Sequence, residues 1–147
     1  MPPVTTIDPE GQPLHRLALP IRWGDMDALG HVNNIMYFRY FEQTRLSWWE
    51  TLDVGQIHDA GVADSMVIVD NHAEYLRPLV YPADIVVRMG GHSPGRSSFV
   101  TTYTLAVGDT LFTRGSSTIV WLDGTTGRPK SLPDGVRAMV SEGTVDV

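Results

Sequence analysis

The 147 residues carry 17 acidic against 11 basic side chains, a formal charge of −6, and no cysteine. That balance argues against a general nucleic-acid or anionic-membrane surface, and the missing thiols exclude a disulfide scaffold, a cysteine nucleophile and a thiolate metal site. With 42% hydrophobic and 19% charged residues the chain has globular composition and is long enough for one domain with a sizeable core, while no apolar run approaches the roughly 20 residues that span a bilayer.

Residues 1–13 hold four prolines and no periodicity and read as a loose arm. They show no basic segment followed by an apolar one, so no signal peptide is expected and the predicted location is cytoplasmic. A single domain is expected over residues 14–140. It opens with a strand in the weakly alternating run from Leu14 to Trp23, where Pro20 calls for a sheet edge or a bulge. Gly24 to Gly30 reads as loop.

From about Asn34 to Leu52 there is no Gly or Pro, and Tyr37, Phe41, Trp48 and Leu52 fall on one helical row. Met36, Tyr40, Ile35, Phe38 and Trp49 widen that row, which predicts a long buried helix. Asn33 or Asn34 is a natural cap for its start, and Gly55 a plausible stop. Beyond it, Ser65–Tyr75, Asp84–Gly90, Ser97–Ala106 and Leu111–Leu122 are rich in β-branched and aromatic residues and read as strands. Short breaks at Ser93-Pro94-Gly95 and Gly108-Asp109 make the last strands antiparallel neighbours. Residues 123–135 read as loop and the remainder as a ragged tail. The predicted class is α+β: one buried helix wrapped by a five- to six-stranded, mostly antiparallel sheet. One sheet covers only one side of a helix that is apolar on more than one, so a homo-oligomer is expected.

The chemistry concentrates where the Asp25–Asn34 loop enters the helix. A helix N-terminus offers unpaired N–H groups and partial positive charge, suited to negative charge growing on a carbonyl oxygen. Two carboxylates, an imidazole and two amides lie within ten residues of that end. The same residues serve equally well as turn and cap groups, and on physical grounds Asp25 and Asp27 are not separable. The five histidines form no ligand pair of metal-binding spacing, so no metal is expected.

The run from Arg22 to Arg45 (RWGDMDALGHVNNIMYFRYFEQTR) resembles the signature of the 4-hydroxybenzoyl-CoA thioesterase family of hotdog-fold acyl-CoA thioesterases. A weaker likeness continues through Glu74–Pro78, the Asp84 strand, Gly95–Phe99 and Gly127–Pro129. The resemblance implies a hotdog fold, a homodimer or homotetramer, and hydrolysis of an acyl-CoA without a cofactor. It puts the chemical carboxylate on Asp27, as nucleophile or general base, and the oxyanion donor on the Asn34 N–H. Asn33, Tyr37 and His31 become substrate-binding candidates. Arg96, Ser97, Ser98 and Arg128 become candidates for coenzyme A phosphates, with Lys130 behind them and Arg77 and Arg88 weaker. Glu42, a second acid on the helix, is expected to pair with Arg39 or Arg45. One departure bears on substrate: hydroxybenzoyl-specific enzymes carry aromatic residues where this chain has Asn33 and Asn34. Two competing functions are a non-catalytic acyl-CoA or acyl-carrier binding protein and a hotdog hydratase or dehydratase. The hydratases use a His with an Asp in a motif this sequence lacks.

Overall fold

The computed structural model describes residues 13–52, 58–59 and 62–142. The arm expected at 1–13, except Pro13, and the stop expected at Gly55 lie outside the described residues. Strand β1 runs His15–Pro20, a 3-10 turn spans Trp23–Asp25, and helix α1 covers Met36–Glu50. A two-stranded ribbon pairs β2 (His58–Asp59) with β3 (Val62–Ala63). The long strands are β4 (Ser65–Tyr75), β5 (Asp84–His92), β6 (Ser98–Val107) and β7 (Thr110–Leu122), and α2 covers Asp134–Glu142.

The main sheet has the order β1-β5-β6-β7-β4, antiparallel throughout. Pro20 sits on edge strand β1, where a missing N–H donor is tolerated. Side chains alternate across the sheet: Ile85, Val87, Met89, Phe99, Tyr103, Leu105, Ile119 and Trp121 are fully buried, and α1 turns Tyr37, Tyr40, Phe41 and Trp48 into the same core. Phe41 lies flat on Tyr103 at 4.4 Å between ring centroids. Gly115 is the residue that lets it do so, because a Cβ there would stand 2.5 Å from the Phe41 ring. This helix inside an antiparallel sheet is the hotdog arrangement.

Two details depart from the sequence reading. Helix α1 starts at Met36, about two residues later than expected, because Asn33 makes a turn ahead of it. Residues expected as tail form α2, whose Val136 and Val140 are fully buried and whose spacing at i and i+4 lays them on one face. Ile35, just ahead of α1, and Leu46 on it are 64% and 48% exposed, in keeping with a helix that its own sheet covers on one side.

Candidate active site

The loop before α1 is a small knot of backbone bonds. The N–H of Asp27 donates to the His31 carbonyl (2.9 Å), and that of Gly30 donates to the Asp27 carbonyl (3.1 Å). Gly30 closes this turn at φ +83°, a left-handed conformation that suits a residue without Cβ. The turn is braced by a bridge between Met26 and Val32, and Val32 is tied by its N–H to Leu79 at 2.8 Å. Asn33 then directs the chain into the helix: its N–H donates to the Asp25 carbonyl (3.0 Å), its Oδ1 accepts from Ile35 N–H (3.1 Å), and its carbonyl accepts from Met36 N–H (2.9 Å). Asn33 is therefore a helix-entry residue here.

The two acids of this loop have different surroundings. Asp25 is buried, and its Oδ2 accepts from the Tyr40 hydroxyl (2.8 Å) and the Arg22 N–H (3.0 Å). Burial, and then the hydrogen bond to Asp25, push the Tyr40 phenol far above its ordinary range. Asp27 is only half-buried; its Oδ1 accepts from Leu29 N–H (2.9 Å), while Oδ2 takes no hydrogen bond among the described residues.

Beside this loop lies a cavity of about 260 Å³ lined by His31, Val32, Asn34, Tyr37 and Tyr75 and by Leu76–Pro78. It brings together three of the expected site residues, His31, Asn34 and Tyr37. Asp27 is not among its lining residues. Asn34, two residues ahead of α1, has an N–H that meets no acceptor among the described residues and is free to bind an anion. Tyr75, 41 residues away in sequence, donates its hydroxyl to the Asn34 carbonyl at 2.7 Å and meets the Tyr37 ring edge-on at 4.8 Å. Burial raises the pKa of both phenols, with a Leu79 backbone bond opposing it at Tyr37. Nothing in the spacing of the sequence marked Tyr75, since only β4 pairing with β7 brings it to the helix start.

A larger space of about 710 Å³ lies between β1 and the other side of α1, lined by Leu17, Leu19, Arg22, Asp25, Met36 and Tyr40 among others. Volume alone would favour it. Its carboxylate already holds two donors, however, whereas the smaller cavity is lined by Asn34, whose N–H meets no acceptor among the described residues.

Residues 21–140 match the thioesterase-like superfamily. The chain is a member of that superfamily. A candidate thioesterase of Pseudomonas aeruginosa, the PA2801 protein, is 35% identical, with 88% of this chain and all of that one covered and a TM-score of 0.77. A candidate acyl-CoA thioesterase of Xanthomonas campestris is 32% identical over 82% of this chain and 100% of its own, TM-score 0.68. A Thermus thermophilus thioesterase complexed with coenzyme A and zinc is 29% identical over 89% and 94%, TM-score 0.73. The uncharacterized Bacillus subtilis protein YsmA is 25% identical over 83 residues, 56% of this chain and about half, 54%, of that protein.

The remaining expected residues of this thioesterase-superfamily chain cluster elsewhere. Arg96, Ser97 and Ser98 form the turn into β6, and Arg128 lies on the loop after β7. The two segments adjoin because Trp121 N–H donates to Ser97 (2.7 Å) and Lys130 N–H donates to Trp121 (2.9 Å). Arg96 and Arg128 are exposed. Arg137 of α2 holds the turn from behind, its guanidinium donating to the carbonyls of Gly95 (2.9 Å) and Arg96 (3.1 Å). Lys130 is engaged as an ion-pair partner of the buried Asp64 at 3.1 Å and of Asp123 at 3.8 Å. This turn sits by the Ser65 end of β4, while Asn34 and Tyr75 sit at its Tyr75 end. A strand of 11 residues separates them by roughly 33 Å at about 3.3 Å per residue. Glu42 pairs with Arg39 at 3.3 Å on the exposed side of α1. Arg45 is buried and donates instead to the Tyr103 hydroxyl at 3.1 Å.

Proposed function

We propose that this protein hydrolyses acyl-CoA thioesters, with Asp27 as nucleophile or general base and the Asn34 N–H receiving the oxyanion. The observation that carries the reading is the unspent Asn34 N–H at the mouth of α1, next to a turn that leaves one Asp27 oxygen open. Water activated by Asp27, or Asp27 itself, adds to the thioester carbonyl. Negative charge then grows on an oxygen facing the Asn34 N–H and the positive end of the helix. Collapse expels the coenzyme thiolate, a good leaving group that then takes up a proton; where Asp27 itself attacked, water cleaves the resulting anhydride to free the acid and restore the carboxylate, so neither a metal nor a serine triad is needed. His31 and Tyr37 line the cavity that would take the group next to the carbonyl. Asn33, bound to Ile35 and Asp25, supports the helix start in this reading instead of contacting the substrate. The asparagines at 33 and 34 favour an acyl group other than hydroxybenzoyl.

The functional unit in this reading is a homodimer. Among the described residues strand β4 pairs only with β7, which leaves its other edge open, and Val67, Val69 and Tyr75 stand exposed along it. An open apolar edge of this kind invites pairing with another strand. Antiparallel pairing of two β4 edges would place the Ser65 end of one copy beside the Tyr75 end of the other. A coenzyme whose thioester lies at Asn34 would then extend toward Arg96, Ser97, Ser98 and Arg128 of the partner subunit. Within one chain the two groups are too far apart to share a ligand.

A free-thiol assay across short, long and aromatic acyl-CoAs tests the activity. Release of coenzyme A from at least one class is expected, and no release from any of them refutes the hydrolase reading.

A further inference from the structure

We infer that Tyr75 is a positioning residue for the oxyanion donor, an inference that rests on the hydrolase reading above. Its hydroxyl donates to the Asn34 carbonyl at 2.7 Å. Upstream, the chain is fixed by Val32 N–H to Leu79 (2.8 Å) and Asn33 N–H to Asp25 (3.0 Å). Within the turn, Met36 N–H binds the Asn33 carbonyl (2.9 Å) and Ile35 N–H binds Asn33 Oδ1 (3.1 Å), so each peptide plane beside Asn34 has one local anchor. Tyr75 adds the one bond that comes from outside the turn, tying the downstream plane to strand β4 so that the turn and its free N–H keep one direction relative to the cavity.

Tyr75 is itself well anchored. It pairs with Thr113 across the sheet, and the next two N–H groups, of Leu76 and Arg77, both reach the Phe112 carbonyl (2.9 and 3.2 Å). Its ring rests edge-on against Tyr37, which faces the same cavity. Oxyanion donors act through preorganisation, so a donor free to swing loses much of its effect although it remains present. Tyr75 also belongs to β4, the strand whose open edge is proposed to pair with a second copy. Strand pairing and the direction of the Asn34 N–H are therefore mechanically joined through one side chain.

The test is Tyr75→Phe, which deletes the hydroxyl and keeps the ring against Tyr37. The expected result is a kcat about 5- to 20-fold lower, the scale of one lost hydrogen bond. KM stays within about twofold and the thermal midpoint is unchanged, because the missing bond is partly solvent-exposed. In an amide NMR spectrum the Asn34 and Ile35 resonances shift, and hydrogen exchange of the Ile35 N–H, which is bonded to Asn33, accelerates by about the same 5- to 20-fold factor. Wild-type kcat and wild-type exchange in Tyr75→Phe overturn the inference while leaving the hydrolase reading intact. A fall in kcat that vanishes on cooling, together with a lowered midpoint, overturns it too, since that pattern belongs to general loss of folding. If the wild type itself releases no thiol, the hydrolase reading fails first and the inference falls with it.

Discussion

Asp25 and Asp27 are the same residue type two positions apart, yet one meets Tyr40 and the Arg22 N–H while the other keeps Oδ2 open. The proposed division of labour follows: Asp25 holds the loop to the second turn of α1, and Asp27 does the chemistry. Asp27→Asn should lower kcat by about 10²- to 10⁴-fold, the usual worth of a general base, with acyl-CoA binding and thermal midpoint retained. An Asp27→Asn protein as fast as wild type would refute the assignment. Tyr40→Phe should act in the opposite way. It leaves the buried Asp25 carboxylate short of a donor, and urea unfolding should register a loss of about 1–3 kcal/mol. The sequence could not distinguish these acids, because the difference comes from a tyrosine 15 residues further on whose hydroxyl reaches back over the loop.

Among the elements, the strands and α1 were legible because their signals are local: β-branched runs, short turns and a Gly- and Pro-free apolar stretch. Helix α2 was not, since nine residues with a glycine in the first turn make a weak pattern that only packing rescues. The loop after β7 is stapled by Asp64. Burial works to raise the pKa of this acid, but the Trp121 indole (2.9 Å), the Gly124 N–H (3.0 Å) and Lys130 outweigh it and hold the carboxyl below its usual range. A depressed native pKa gives stability that is fully present above the unfolded value of about 3.9 and is lost as pH falls through the native one. The melting-temperature gap between wild type and Asp64→Asn should therefore be full near neutrality and should narrow below about pH 4. A gap unchanged down to the acid limit would contradict it. Gly115→Ala tests the core in turn: its Cβ would meet Phe41 and, at 3.0 Å, the His72 carbonyl. A destabilisation of about 1–3 kcal/mol in denaturant unfolding is expected from such overpacking, and an unchanged midpoint would show that Phe41 yields freely.

At the scale of the whole molecule, β4 is a wall of the sheet and, among the described residues, one of its two open edges. Double substitution Val67→Lys with Val69→Lys places charge along that edge, as natural proteins do to prevent pairing. On the proposed dimer, sedimentation should report a dimeric wild type and a monomeric variant, and thiol release from acyl-CoA should fall with the dimer fraction. A wild type that sediments as monomer and remains active would rule out the shared site. The helix wrapped by its sheet could be read from hydrophobic pattern, whereas the separation of Asn34 from Arg96 could not. Both groups belong to one resemblance, but strand direction carries them to opposite ends of β4, and only topology shows it.

Arg137 reaches from α2 to two backbone carbonyls of the turn that includes Arg96. If that turn receives the nucleotide end of the coenzyme, the carrier is recognised at a place the C-terminal helix can adjust without disturbing the acid or the oxyanion donor. Drift in α2 would then alter which carrier is accepted, free coenzyme or protein-bound pantetheine, while the bond being cut stays the same. Acyl-pantetheine, which has no nucleotide, should be indifferent to Arg137→Met, and acyl-CoA should not.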